Sequence, residues 1–266
     1  MPKLYSAKSG IASGAEYIRF GTGKKNLILL PGLGDGLRTV KGTALPMALY
    51  YRSLAKDYRV YMISRKQNLP AGYTTRDMAR DLKDAMEELG IARASLVGVS
   101  MGGMIAQHFA ADYPQMLEKL VLVVTCARPN PILLESLEEW TDCARRDDHT
   151  ALMESNVRRI YSDSYYRKNQ WMIPIMGKLT KPCSYDRFFC MAEACRCHDA
   201  WDALPAISVP TLVIGGQQDR SLGAEASQEL ASRIPGAKLK MYPQWGHGLY
   251  EEVKDFWVVV TEFVGK

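Results

Sequence analysis

Short, almost uninterrupted apolar runs recur along the chain, separated by longer segments of mixed polarity. Six of these runs predict β-strands, at residues 26–30, 58–63, 94–98, 119–124, 210–215 and 237–242. Most are rich in Val, Ile, Leu or Tyr, and several do not alternate with polar residues. Strands covered by helices on both faces have this pattern, whereas half-exposed strands alternate. The runs therefore predict an α/β protein with a mostly parallel central sheet flanked by helices.

Several of the segments between the runs have the apolar periodicity of a helix. In residues 74–90 the apolar positions form one helical stripe, at 78, 82, 85, 86 and 89. Thr74 with Asp77 resembles a capping box at the start, and Gly90 favours the end. A second helix is predicted after Ser100 and stops at Pro114. The last segment, 250–265, predicts a helix, although its Val-rich stretch is also compatible with a strand.

The alternation of strand and helix is interrupted between residues 128 and 206. This stretch has helix-like pieces and no convincing strand, and its aromatic residues include Trp140, Tyr161, Tyr165, Tyr166, Trp171, Phe188, Phe189 and Trp201. We interpret residues 1–127 and 207–266 as one α/β core and residues 128–206 as an inserted, mainly helical cap. Most of these aromatics are expected to form the small apolar core of the insertion itself.

Composition narrows the class of protein only moderately. The chain has 266 residues, 47% of them apolar and 24% charged, and a net charge of +5 from scattered Lys and Arg. A nucleic-acid surface is usually a basic patch or stripe, so nucleic acid is not an expected partner. No run approaches the ~20 apolar residues of a membrane span, and the N-terminus lacks a signal-peptide core. We expect a cytoplasmic protein whose six cysteines are free thiols; oligomeric state cannot be read from the sequence.

The segment "GVSMG", residues 98–102, places Ser100 between a predicted buried strand and a predicted helix. The pattern G-x-S-x-G is weak by itself because Gly and Ser are common in turns. At a strand-to-helix turn, however, it puts the serine in strained geometry that needs small residues two positions away. A serine hydroxyl also needs a base, and the base needs an orienting acid. Asp219 and His247 follow two later predicted strands and could supply both groups.

The chain resembles the α/β-hydrolase superfamily from residue 26 to 266. The resemblance rests on "LLPGLGDG", "GVSMGG", "VPTLVIGGQQD" and "WGHGLYEE", which occur in the family's order. It implies that Ser100 is the nucleophile, His247 the general base and acid, and Asp219 the orienting carboxylate. It further implies that the cap roofs the active site, with a few of its aromatics lining a pocket. An oxyanion hole made by the backbone N–H groups of Leu33 and Met101 is also implied, with no cofactor and no metal.

Some residues depart from the family pattern or have simpler explanations. Many relatives carry His where this chain has Pro31, which removes a side-chain hydrogen bond under the loop but keeps the Leu33 donor. Among the other histidines, His108 is expected in packing or at the surface, and His149 in solvent. The cluster Cys190, Cys195, Cys197 and His198 matches no common zinc spacing, so we assign it no metal.

The resemblance implies a serine hydrolase that cleaves a small or medium-size ester through an acyl-enzyme, with a small molecule as its substrate. Lactone, thioester or amide cleavage would use the same groups. Two alternatives remain open: a C–C bond hydrolase or lyase on the same triad, and a non-catalytic small-molecule receptor on the same fold. A dehalogenase is disfavoured, because relatives with that chemistry have Asp where Ser100 stands.

Overall fold

The computed structural model describes residues 6–265, and an eight-stranded sheet forms its centre. The strands are Lys8–Ala12 (β1), Ala15–Phe20 (β2), Lys25–Leu30 (β3), Tyr58–Lys66 (β4), Ala94–Val99 (β5), Leu117–Val123 (β6), Thr211–Gly216 (β7) and Lys238–Tyr242 (β8). Their order across the sheet is β1-β2-β4-β3-β5-β6-β7-β8. From β4 to β8 every neighbouring pair is parallel. All six predicted strands and the mostly parallel sheet are confirmed.

The sequence patterns did not predict the first two strands. β1 and β2 form an antiparallel hairpin, and β2 continues antiparallel onto β4. The two-residue turn between them is Ser13-Gly14, with φ of 46° and 79°. Positive φ at both positions is the geometry whose twist suits a tight hairpin.

Helices cover both faces of this sheet. They are Ala44–Tyr50 (α1), Arg52–Ala55 (α2), Thr75–Glu88 (α3), Met101–Asp112 (α4), Pro131–Arg145 (α5), His149–Ile160 (α6), Asp163–Asn169 (α7), Ile173–Leu179 (α8), Asp186–Arg196 (α9), Ala224–Arg233 (α10), Leu249–Glu252 (α11) and Phe256–Gly265 (α12). The capping box of Thr74 and Asp77 is present at the start of α3. The last segment is helical and not a strand, but it forms two helices, α11 and α12, separated by residues 253–255.

Two apolar cores lie on the faces of the sheet. One is built on α3 and α4 and continues into α5 and α9. The other joins the opposite face to α1, α2 and α12. Every residue of β7 is buried, and so are five of the six residues of β5. Burial on both faces explains why these strands read as continuous apolar runs.

Between β6 and β7 the chain forms α5 to α9 and, among residues 124–210, no strand. His149, at the start of α6, is not solvated as its charged neighbours suggested: only 3% of it is exposed. Its ring nitrogens lie 3.2 Å from Thr180 Oγ1 and 3.1 Å from Tyr185 Oη. Within residues 6–265, none of the helices is both long enough and apolar enough to cross a bilayer.

Candidate active site

Ser100 occupies a sharp turn between the end of β5 and the start of α4. Its φ of 52° and ψ of −120° lie in a region that L-residues rarely adopt. The strain is held by hydrogen bonds on both sides of the residue. Ser100 N–H donates to the carbonyl of Val123 at 2.9 Å, and Ser100 C=O accepts from Thr125 Oγ1 and Gly103 N–H, both at 2.8 Å. Backbone strain of this kind persists where the surrounding structure over-determines it, and it concentrates at functional sites.

The two glycines of the motif are required by close backbone contacts. A Cβ atom on Gly98 would lie 2.5 Å from the carbonyl oxygen of Gly102. A Cβ on Gly102 would lie 2.2 Å from the carbonyl oxygen of Leu30, at the end of β3. Both contacts are with backbone and cannot be relieved by rotating a side chain. The motif therefore allows α4 to begin directly against the ends of β3 and β5.

Asp219 and His247 form a buried pair. His247 Nδ1 lies 2.8 Å from Asp219 Oδ2. The other carboxylate oxygen, Oδ1, accepts the backbone N–H groups of Ser221 at 2.8 Å and Leu222 at 2.9 Å. Because a carboxylate only accepts, Nδ1 is the protonated nitrogen of the neutral imidazole, and that tautomer has a free lone pair on Nε2.

The pair is positioned by the loops that follow β7 and β8. Gln218 N–H donates to the carbonyl of Trp245 at 2.9 Å, which fastens one loop to the other. A Cβ on Gly216 would lie 2.4 Å from that same carbonyl oxygen, so the close approach of the loops requires glycine there. Adjacent parallel strands end at the same edge of the sheet, and this brings residues 28 positions apart into contact.

A cavity of about 460 Å³ brings these groups together. Ser100 and His247 both line it, and so does Leu33, in the short turn Leu33–Gly36 after β3. Met101 is buried at the first position of α4. Among residues 6–265, no hydrogen bond joins Ser100 Oγ to His247. Such catalytic hydrogen bonds are often long without substrate and shorten when it binds.

The cavity wall also contains residues that the motifs did not reveal. Trp140, Asn156, Ile160 and Tyr161 come from the segment between β6 and β7. Trp140 and Tyr161 belong to the aromatic set expected in that segment, but nothing in the sequence distinguished them from the other six. Arg38 lies at the cavity, is exposed, and has no ion pair within residues 6–265.

Two phenol groups at the cavity remain protonated. Burial raises the pKa of Tyr161 and of Tyr250, and the charge of Glu251 raises both further. Tyr161 Oη donates a hydrogen bond to Glu251 at 2.7 Å. The cavity therefore offers neutral phenols, the His247 imidazole and the Arg38 guanidinium to a ligand, whereas the side chain of Asp35 in its wall is only 1% exposed.

The residues considered for zinc do not form a common ligand set. Cys195 is buried, whereas Cys197 is exposed, and His198 Nδ1 lies 2.9 Å from Thr75 Oγ1. In the described part of the chain no group of three or more His, Cys, Asp or Glu side chains is arranged to hold a metal. All six cysteines are free thiols.

The family described as "alpha/beta hydrolase fold" matches residues 25–253. The chain belongs to this family. The match spans the sheet from β3 to β8, the turn at Ser100, the segment between β6 and β7 and the Asp219–His247 pair. The resemblance inferred from the sequence motifs is confirmed, as is the fold class.

Individual relatives are distant but align over most of their length. "Putative carbamate hydrolase RutD" of Stutzerimonas stutzeri is 27% identical over 83% of this chain and 84% of its own length. A 2-hydroxy-6-oxononadienedioate/2-hydroxy-6-oxononatrienedioate hydrolase of a Pseudomonas species is 25% identical over 99% of this chain and 96% of its own. The solved enol-lactonase of Burkholderia xenovorans has a TM-score of 0.79 and 25% identity over 97% of this chain and 100% of its own. Family membership and these names support hydrolase activity.

Proposed function

We propose that the chain is a serine hydrolase that cleaves a small or medium-size ester, or a related acyl compound, through an acyl-enzyme on Ser100. The observation that carries the proposal is the buried Asp219–His247 pair, which shares one cavity with a serine held in strained geometry. The nucleophile, base and orienting carboxylate are recognised by their geometry and not by their position in the sequence. A hydroxyl without such partners is a poor nucleophile.

In this scheme Ser100 Oγ attacks the acyl carbon and its proton passes to His247 Nε2. The tetrahedral intermediate collapses, the bond to the alcohol breaks, and the leaving oxygen takes the proton from Nε2. A water molecule then attacks the acyl-enzyme and gives a proton to the same nitrogen. Ser100 Oγ leaves with that proton, and the acid is released. Asp219 holds the imidazole in the required tautomer and stabilises the imidazolium that forms.

The negative charge on the acyl oxygen requires hydrogen-bond donors. We assign this role to the backbone N–H groups of Leu33 and Met101. Met101 is the first residue of α4, so its N–H lies at the positive end of that helix. Removing one such donor typically reduces kcat about 10²- to 10³-fold. No step of this scheme needs a metal or a cofactor.

The segment 128–206 would act as a cap that roofs the cavity and sets specificity, with residues 1–127 and 207–266 as the core. Four of its side chains already line the cavity beside Ser100. The volume of about 460 Å³ lies in the range of small-molecule sites. A small or medium acyl compound therefore suits the cavity.

A second candidate function is cleavage of a C–C bond on the same residues. The relative named for 2-hydroxy-6-oxononadienedioate acts on a compound whose name contains a ketone and two carboxylates but no ester. Attack at a ketone would use the same serine, base and oxyanion donors. A receptor without turnover is the remaining alternative.

Labelling with a fluorophosphonate probe tests the proposal. Wild type and Ser53→Ala, an exposed control in α2, should be labelled and should hydrolyse p-nitrophenyl esters, and Ser100→Ala should do neither. An enol lactone, an aryl carbamate and a 2-hydroxy-6-oxo dienoate tested in parallel would rank the bond types. Labelling with turnover of only the dienoate would favour the second candidate. A folded wild type that is neither labelled nor active would contradict both candidate reactions and favour the non-catalytic receptor.

A further inference from the structure

A buried ionic cluster lies under the turn that carries Leu33. It consists of Asp35 in that turn, Arg65 near the end of β4, and Arg187 at the start of α9. The side chains of Asp35 and Arg65 are only 1% and 3% exposed, and that of Arg187 is 9% exposed. Arginine and aspartate are almost never this buried unless they are paired. One carboxylate is shared by two guanidinium groups, so the cluster carries a net positive charge.

Arg65 contacts the backbone of the turn but does not line the cavity. Its Nη2 donates to the carbonyl oxygen of Gly32 at 3.3 Å and to the carbonyl oxygen of Pro31. The carbonyl of Gly32 and the N–H of Leu33 belong to one trans peptide unit, so they point in opposite directions. A donor that fixes this carbonyl also fixes the direction of the N–H. A positive charge on the carbonyl side further polarises the peptide and makes its N–H a stronger donor.

The placement of Arg65 is costly for stability, which argues against a purely structural role. Its Nε and Nη1 are buried and have no hydrogen-bond partner within residues 6–265. Nη1 lies 3.8 Å from Asp35 Oδ2, too far for a hydrogen bond. Buried charges with unmet hydrogen bonds destabilise a fold relative to apolar residues of the same size. Unsatisfied groups of this kind in a native site call for an explanation, and a function of the charge is one.

Asp35 and Arg187 hold Arg65 in place. Asp35 Oδ2 accepts the backbone N–H of Arg65 at 3.0 Å and also the Nη2 of Arg187. Arg187 donates in addition to the carbonyl oxygens of Arg65, at 2.9 Å, Lys66, at 3.0 Å, and Asp35. Helix α9 packs directly on the turn, because a Cβ on Gly36 would lie 2.9 Å from the Cα of Phe188.

We propose that Arg65, held by Asp35 and Arg187, is the positioning residue that orients the Gly32–Leu33 peptide for oxyanion binding. It provides the support that Pro31 cannot, and Arg187 links the segment 128–206 to that peptide. The inference rests on the proposed function, since only an attacked carbonyl needs an oxyanion hole.

The test replaces Arg65 by Met, which keeps a long apolar side chain and leaves Asp35 paired with Arg187. Arg59→Met is the matched control, because Arg59 is exposed on the same strand and has no ion pair among the described residues. The concentration of active serine is titrated with the fluorophosphonate, so that kcat is calculated per active molecule and unfolded protein is excluded. The readouts are kcat and KM for a p-nitrophenyl ester and the inhibition constant of a trifluoromethyl ketone, whose adduct carries an oxyanion.

For Arg65→Met we expect kcat per active serine to fall about 10²-fold with KM within about threefold, and the ketone to bind correspondingly less tightly. Arg65→Lys should recover part of the loss, since an ammonium can still reach one of the carbonyls. An unchanged kcat, or a change confined to KM, overturns the inference while the proposed function stands.

If Arg65→Met does not fold, Arg187→Met decides the matter. It leaves Arg65 and Asp35 as a neutral pair and should lower kcat about tenfold with little change in KM. An unchanged kcat in that variant overturns the inference. A folded wild type that is unlabelled and inactive overturns the proposed function and the inference together.

Discussion

Replacing Asp219 by Asn probes the proposed triad by changing one atom. The two oxygens of Asp219 have different partners, which decides how an amide would sit. Oδ1 accepts the N–H groups of Ser221 and Leu222, and Oδ2 accepts His247 Nδ1–H. If the amide NH₂ faced the two backbone N–H groups, two buried hydrogen bonds would be lost, at about 1–3 kcal/mol for each unsatisfied donor. The amide oxygen therefore stays with the backbone, and its NH₂ faces His247.

This orientation reverses the tautomer of the imidazole. The Asn NH₂ donates to Nδ1, so the proton moves to Nε2, the nitrogen that must accept the proton of Ser100. The same substitution in a serine protease lowers kcat about 10⁴-fold with the geometry intact, a loss of about 5.4 kcal/mol in transition-state stabilisation. We expect a loss of this size for Asp219→Asn, with KM within about threefold.

The assay is kcat and KM for a p-nitrophenyl ester from pH 6 to 10, with the free energy of unfolding measured by urea. Asp202→Asn, an exposed aspartate that does not line the cavity, is the matched control and should retain wild-type kcat. A fall of less than tenfold in a folded Asp219→Asn protein would refute the assignment of Asp219 as the orienting carboxylate. A large rise in KM with kcat unchanged would also contradict it, because orientation of the base acts in the transition state.

Three further predictions concern stability and specificity. Burial lowers the pKa of His198 to about 3, so the unfolded chain binds a proton at higher pH than the folded one, and the free energy of unfolding should fall as pH drops from about 6.5 towards 3, by about 2 kcal/mol between pH 7 and pH 5. Urea unfolding of His198→Gln should show a smaller fall over this range, and an equal fall would contradict the assignment to His198. Gly102→Ala places a Cβ 2.2 Å from a backbone oxygen and should lower the free energy of unfolding by about 3 kcal/mol, whereas Gly34→Ala, whose Cβ meets nothing within 4 Å, should leave it unchanged. Equal free energies of unfolding for the two variants would refute the steric argument. Arg38→Gln should raise KM about tenfold for esters that carry a carboxylate and change KM less than twofold for neutral esters. The same change in KM for both kinds of ester would exclude Arg38 as a contact for the carboxylate.

The sheet could be predicted because its central strands are buried on both faces and leave continuous apolar runs. β1 and β2 left no such signal. β1 is mostly exposed, with Gly10 in its middle, and β2 mixes charged and apolar positions. Their turn, Ser13-Gly14, is a hairpin signal, but β1 is largely polar and the apolar positions of β2 are interrupted by Glu16 and Arg19, so neither strand forms a continuous apolar run. The predicted sheet therefore began at β3 and lacked the β1–β2 hairpin.

The candidate site was predictable where it depends on strand order along the chain. Asp219 and His247 follow consecutive parallel strands, so their meeting at one sheet edge follows from topology. Burial within the segment between β6 and β7 was not predictable in this way. His149 stands among charged residues, yet its partners, Thr180 and Tyr185, lie 31 and 36 positions later. Which side of α6 is covered depends on how α8 packs, and no local pattern encodes that.

The replacement of histidine by Pro31 shows why a motif cannot be judged from its own residues. The sequence indicated a loop that had lost a side-chain hydrogen bond. In the structure the support comes from Arg65, on the strand that pairs with β3, and from Arg187, 152 positions beyond Asp35. In the sequence, Arg65 and Lys66 follow an apolar run, and charged residues at that position are typical of a strand end exposed to solvent. The sheet order β4-β3-β5 places that end under the loop on one side and Ser100 on the other. Support for the loop is therefore a property of the neighbouring strand, so the identity of residue 31 alone does not determine whether the Leu33 N–H is held in position.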